Sequence, residues 1–388
     1  MIKLTEAEAM VAAKIKKLKD EAGTHSPSIF TIAEKLPELN IQVDACFLSN
    51  PYATELFFTY LKRDLVESRK MRDVLEFYPS QNSVIAEILS SCLHIPPHNI
   101  FIGNGAIEVI QAVLHNFTQR KIMVNIPTFS SYYEFVKEDI EVIFNPLLKA
   151  DNYKLNIESY IQRIHDVKPD TIVIINPNNP DGGYVKYSDI KYLLANVTSV
   201  QTVIIDESFI HFAYEDETYE MKSATELIKD YPNLVVIKSM SKDFGIAGVR
   251  AGYAVMDEGR VSYLLKNGYL WNSGGLAEYF FRLYVHPTFL QEYEKVRIQY
   301  IQETQQFFNQ LSSIPQMKLY PGMANFGLVE ILDGSTSTDF VSKLLISYGI
   351  YTRNCADKIG LDGQFVRIAS RTKQENLSII DSIRRCFG

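Results

Sequence analysis

The feature that most constrains this chain is a pattern repeated between residues 121 and 255. Short runs rich in β-branched residues occupy positions 121–126 (KIMVNI), 171–175 (TIVII), 202–205 (TVII), 234–237 (LVVI) and 252–255 (GYAV), and longer amphipathic stretches separate them. Runs this short, and apolar on both faces, suit buried parallel strands, and the intervening stretches are long enough for crossover helices. The pattern predicts an α/β domain around a mostly parallel sheet.

The ends of the runs are polar. The second leads into Asn176-Pro177-Asn178-Asn179-Pro180, the third ends at Asp206-Glu207, and the fourth leads through Lys238 to Ser239-Met240-Ser241-Lys242. Ligands of open α/β sheets bind beyond the carboxyl ends of the strands. Taken alone, each residue keeps two readings. Lys242 is a solvated loop lysine, or an amine nucleophile beside a phosphate-binding set of Ser239, Ser241 and Arg250. Asp206 is a helix cap or structural ion pair, or a carboxylate that keeps a heterocyclic nitrogen protonated. Asn178 and Asn179 form a turn, which also aims an amide side chain.

Beyond residue 258 the pattern changes to long helical stretches, such as 286–310, and strand-like runs at 326–331 and 365–368. These predict a second, smaller α+β domain. The N-terminus reads as an amphipathic helix: Thr5 and Glu8 have capping-box spacing, Val11, Ile15 and Leu18 share a face, and Gly23 ends it. The expected division is a large domain over 45–265 and a small one from 1–44 plus 266–388.

Several classes of function are excluded. Of 388 residues, 46 acidic side chains outnumber 39 lysines and arginines, and this balance argues against nucleic acid as the main partner. No apolar run is long enough to span a bilayer, and the N-terminus lacks the apolar core of a targeting segment. Cys46, Cys92, Cys355 and Cys386 are far apart and read as reduced thiols of a cytoplasmic protein. There is no phosphate-binding GxxxxGK[ST] loop, no HExxH and no GxSxG, and Gly103-Asn104-Gly105 lacks the third glycine of a dinucleotide site. The seven histidines show no ligand spacing, so no metal site is expected.

The ordered set NPNNP, IIDESF and SMSKDFGIAGVRAG resembles the fold-type I pyridoxal-phosphate enzymes of the class I/II aminotransferase group, and within it the histidinol-phosphate aminotransferases and threonine-phosphate decarboxylases. The resemblance runs from about Asn50 to the C-terminus. It implies a large α/β domain with a mostly parallel mixed sheet, a smaller α+β domain, and pyridoxal 5'-phosphate as cofactor. Lys242 matches the lysine that bonds covalently to the cofactor, and Asp206 matches the aspartate on the pyridine nitrogen. Asn179 matches the asparagine on the ring oxygen, and Phe129 the aromatic stacked on the ring. Gly105, Ala106 and Ile107 match the phosphate-binding turn at a helix N-terminus. Ser239, Ser241 and Arg250 match the other phosphate ligands. Tyr78 matches a tyrosine that reaches the phosphate from a second subunit, which implies a homodimer.

On the substrate side, Arg367 matches the arginine that clamps the α-carboxylate, a task suited to guanidinium geometry. Arg353 matches a second arginine able to bind a distal phosphate, and Asn50 resembles a loop near the carboxylate. Phe209 stands where the aminotransferases carry tyrosine, and phenylalanine there resembles the decarboxylase branch. Against this, Asp181-Gly182-Gly183 replaces the usual Thr-Gly after NPNNP. The expected activity is an aminotransferase acting on an amino acid or amine, phosphorylated or not. The alternatives are decarboxylation of an O-phospho amino acid and, more remotely, a non-catalytic cofactor sensor.

Overall fold

The computed structural model describes residues 1–23 and 25–388. Among them, twelve strands form two sheets. β1 (Val43–Ala45) belongs to the smaller. β2 (Ile100–Asn104), β3 (Lys121–Ile126), β4 (Glu141–Pro146), β5 (Thr171–Ile175), β6 (Thr202–Asp206), β7 (Leu234–Ser239) and β8 (Ala251–Val255) form a seven-stranded sheet of order β2-β8-β7-β6-β5-β3-β4. β9 (Met317–Leu319), β10 (Phe326–Ile331), β11 (Ile350–Asn354) and β12 (Phe365–Ala369) join β1 in a five-stranded sheet of order β1-β11-β12-β10-β9.

The double-sided apolar character of the central strands follows from a three-layer arrangement. Ile172 and Ile174 of β5, Val203 and Ile205 of β6, and Val236 of β7 share one core with the helices Asn82–Leu93, Ile157–Val167, Tyr187–Asn196 and Gly275–Tyr284. The alternate residues Val173, Ile204, Val235 and Ile237 face a second core with the helices Gly105–Phe117 and Glu258–Lys266. Successive strand residues point to opposite faces, so a sheet covered on both sides needs apolar residues at every position. Burying each such side chain is worth about 1.5–3 kcal/mol.

One strand departs from expectation. The GYAV run was expected to be parallel, but β8 is antiparallel to both β7 and β2. Its composition reflects burial on both faces, which is independent of direction. Direction is set by the connection: residues 240–250 hold no crossover helix, so the chain turns back beside β7. Gly252 on β8 is needed there, because a Cβ would lie 2.7 Å from the backbone of Gly105 and Ala106.

The smaller sheet gathers both ends of the chain. β1 pairs in parallel with β11, Val43 opposite Ile350, and β12 is antiparallel to β11 and β10. The N-terminal helix spans Glu6–Glu21, with Thr5 and Glu8 closing a capping box. It packs on the helix Ser337–Tyr348, where Lys343 meets Glu8 at 2.6 Å. The helix Pro287–Ser312 runs along the core. No described helix is long and apolar enough to cross a membrane.

Candidate active site

β5, β6 and β7 are adjacent and parallel, and Asp206 stands in register with both Ile175 and Ile237. Their carboxyl ends therefore lie on one edge of the sheet. A cavity of about 280 Å³ opens there, between the large sheet and the small one. Asn179 after β5, Asp206 at the end of β6, Ser239 at the end of β7, and Ser241 and Lys242 just beyond it all line it.

Asp206 is buried. Its carboxylate accepts hydrogen bonds from the Tyr132 hydroxyl and the Ser208 backbone N–H, each at 2.8 Å. Burial raises its pKa above the ordinary carboxylate value against the pull of these donors. Among the described residues no basic side chain forms an ion pair with it. The Lys242 amine also has no hydrogen-bond partner among the described residues. Burial, reinforced by the positive fields of Arg367 and Arg250, lowers its pKa to about 8.

A second feature of this wall is an open helix N-terminus. The helix Gly105–Phe117 begins after Asn104 without a side-chain cap, and Ala106 and Ile107 at its first turn line the cavity. Its leading N–H groups and the positive end of the helix dipole suit an anion. Gly105 has φ of 75°, and a Cβ there would come within 2.5 Å of the Arg250 guanidinium. Ser239, Ser241 and Arg250 border the same corner, and Phe129 lines the cavity from the loop after β3. A phosphate corner, a carboxylate without a cation and an unpartnered amine together fit pyridoxal phosphate.

The opposite wall comes from the small sheet. Arg353 on β11 is in register with Arg367 on β12. Arg367 donates to the Asn179 side-chain oxygen at 2.7 Å and to the Cys46 carbonyl at 2.8 Å, its buried Nε has no hydrogen-bond partner among the described residues, and its guanidinium lies 5.3 Å from the Phe326 ring centre. Arg353 is held by Asp357 at 2.7 Å. Lys358 follows Asp357 and lines the cavity, and burial, then the charge of Arg353, lowers its pKa to about 8. His25 and Ser26, just past the N-terminal helix, also line it. Phe209 packs edge-on against Phe326 at 5.1 Å.

Two expected residues lie elsewhere. Tyr78 is 92 % exposed, stacks on Trp271, and does not line this chain's cavity. Asn50 is fully buried outside the cavity. Its side-chain oxygen caps the helix Pro51–Leu61, and its backbone N–H donates to the Lys242 carbonyl at 2.9 Å. Tyr132, Ser208, Lys358 and His25 escaped the sequence reading. Only Ser208 carried a local signal, two residues after Asp206 in a side-chain-to-backbone turn.

The chain belongs to the class I and II aminotransferase family, whose model matches residues 68–383. It is 60 % identical over 387 residues to the L-serine phosphate decarboxylase of Campylobacter jejuni, covering 100 % of this chain and 99 % of that one. It is 47 % identical to the L-serine phosphate decarboxylase of Sulfurospirillum multivorans, covering 95 % of this chain and 94 % of that one. A solved decarboxylase structure from Sulfurospirillum multivorans superposes with a TM-score of 0.94 at 45 % identity, covering 98 % of this chain and 97 % of that one.

These relatives confirm the fold-type I architecture and pyridoxal 5'-phosphate as the cofactor. They overturn the aminotransferase expectation, because relatives matched over nearly the whole chain are decarboxylases. The physical reason for the error is plain. Transamination and decarboxylation use the same lysine, aspartate and carboxylate-binding arginine, so motifs for these residues do not separate the two reactions.

Proposed function

We propose that this protein decarboxylates an O-phosphorylated amino acid, with L-serine phosphate, named for both relatives, as substrate. The observation that carries the reading is charge. Among the described residues, Lys242, Arg250, Arg353, Lys358 and Arg367 line one cavity in which Asp206 is the lining carboxylate, with Asp357 paired to Arg353 beside it. With Arg250 assigned to the cofactor phosphate, Arg353, Lys358 and Arg367 remain for a substrate that carries two anionic groups. Phe209 supports the same reading, since it supplies an apolar surface and no hydroxyl.

Each side chain then has a task. Arg367 binds the α-carboxylate, and its bond to Asn179 ties that wall to the cofactor side. Arg353 and Lys358 hold the distal phosphate, and the Asp357 pair keeps the Arg353 guanidinium in place. Asp206 keeps a cation at the ring nitrogen, oriented by Tyr132 and Ser208. Bound between these walls, pyridoxal phosphate supplies an electron sink conjugated to the substrate α-carbon. The carboxylate leaves as carbon dioxide, a proton takes its place on the α-carbon, and the product is a phosphorylated ethanolamine. Lys242, with a pKa near the working pH, is placed to deliver that proton. We further assign Asn50 to hold the Lys242 loop and the protein to the cytoplasm. The expected domain boundary at 265/266 moves towards the C-terminus, because the helix Gly275–Tyr284 and residues Phe289 and Tyr293 share the core of the large sheet, whereas Phe307 and Leu311 join that of the small one. A homodimer carries Tyr78 to the partner's site.

Incubating the purified protein with L-serine phosphate tests the reading. Carbon dioxide and ethanolamine phosphate are expected in equal amounts without a 2-oxo acid. Formation of a 2-oxo acid without carbon dioxide would overturn it.

A further inference from the structure

Behind the cavity lies a buried polar cluster that the tasks above do not use. Lys238, on β7, is 3 % exposed, and the Asp243 side chain has no exposure at all. The Lys238 ammonium donates to the Asp243 carboxylate and to the backbone carbonyl of Glu207, the latter at 2.9 Å. Glu207 directly follows Asp206, and Asp243 directly follows Lys242. One ammonium thus bridges the neighbours of both residues assigned to the reacting centre.

We propose that Lys238 is a positioning residue that sets the spacing between Asp206 and Lys242. The proposal rests on the roles given above to those two residues. β6 and β7 stay paired only as far as Asp206 opposite Ile237, with Glu207 N–H still donating to the Ile237 carbonyl at 2.8 Å. Past that point the turn carrying Lys242 is tied elsewhere: Met240 N–H donates to Ala251 on β8, and the Lys242 carbonyl accepts from Asn50. Lys238 supplies the tie back to β6.

The surroundings leave this tie few substitutes. The second oxygen of Asp243 has no hydrogen-bond partner among the described residues. His211 sits 3.9 Å from the Asp243 carboxylate, but burial drives its pKa well below the ordinary value, so it stays neutral, with its Nδ1 bonded to the Tyr293 hydroxyl at 2.8 Å. Arg297 is engaged by Glu294 and by the carbonyls of His211 and Tyr219. Among the described residues Lys238 is the charged group in direct contact with Asp243, with Arg297 and Lys242 acting on it only through their fields. An apolar pair of similar volume would often be as stable as a buried ion pair, so the use of one here fits a geometric purpose.

The test compares holoenzyme variants Lys238→Met, Lys238→Arg and the double change Lys238→Met with Asp243→Leu. Three readouts matter: circular dichroism of the bound-cofactor band, which reports its orientation, and kcat and KM for L-serine phosphate. Lys238→Met is expected to weaken that band and to lower kcat on the order of 10²-fold with little change in KM, the usual effect of a small misplacement. Lys238→Arg keeps the charge and is expected to recover most of both. The double variant removes the isolated charge, so it folds even where Lys238→Met does not, and it is expected to regain thermal stability without regaining the band or kcat. A double variant with the parental band and kcat would overturn the proposal. Borohydride reduction of the unmodified protein and mapping of the label separates the two levels. A label away from Lys242 refutes the role of Lys242 itself, whereas a label on Lys242 leaves the variants to judge Lys238.

Discussion

The large-sheet wall of the cavity differs from the small-sheet wall in how its charges are answered. On the first, hydrogen bonds from Tyr132 and Ser208 hold Asp206, and Asn50 and Lys238 tie the turn that carries Lys242. On the second, Arg353, Lys358 and Arg367 crowd together, with Asp357 paired to Arg353 and with Asn179 and the Cys46 carbonyl accepting from Arg367. The first wall is preorganised for a cofactor that stays. The second carries an excess of positive charge that the proposed phosphorylated substrate would offset on binding. Rigid geometry thus suits the cofactor, and clustered positive charge suits the phosphorylated substrate proposed above.

The comparison is broken most severely at Lys242. Lys242→Ala is expected to lower kcat by about 10⁴-fold, the scale of a lost proton donor, and to abolish borohydride labelling of the protein. Arg367→Met follows, with kcat/KM for L-serine phosphate down by about 10²-fold or more, because truncating a buried, hydrogen-bonded charge also strands its partners. Lys358→Ala is expected to raise KM for L-serine phosphate by about 10- to 100-fold, the worth of one charged hydrogen bond. Affinity for unphosphorylated L-serine should barely change. Equal losses for both ligands would remove Lys358 from the phosphate site.

The pH dependence sharpens the second wall. Burial and Arg353 hold Lys358 near a pKa of about 8, and only its protonated form attracts phosphate. Affinity for a phosphorylated ligand is therefore full below about 8 and falls as pH rises through that value. Lys358→Arg, which does not titrate there, should remove that part of the dependence and leave the part due to Lys242. The smallest effect is expected at Phe209→Tyr. It adds one hydroxyl beside the cavity, and decarboxylation should change by about tenfold or less, the scale of one neutral hydrogen bond.

Much of the first wall was legible in the sequence because its parts follow strands directly. A β-branched run that stops at NPNN, DES or SMSK announces both the strand and the polar group at its carboxyl end. The second wall was partly legible. Arg353 and Arg367 were found by their similarity to a family pattern, whereas Lys358 was missed because no periodicity marks a lysine in a loop. Tyr132 was missed for a related reason: it lies 74 positions from Asp206, and only packing of the loop after β3 against β6 brings the two together. The direction of β8 was misread because burial on both faces produces the same composition in parallel and antiparallel strands.

The sequence by itself determined the α/β class, the cofactor and the lysine, aspartate and asparagine expected to meet it, since each rests on a local run of residues and its immediate neighbours. Tertiary structure decided which cations share a cavity, which carboxylate keeps company with Lys238, and how the small sheet faces the large one. Those relations join residues tens to hundreds of positions apart. Local propensity carries no information about such distances, while packing and the cost of an unpaired buried charge do.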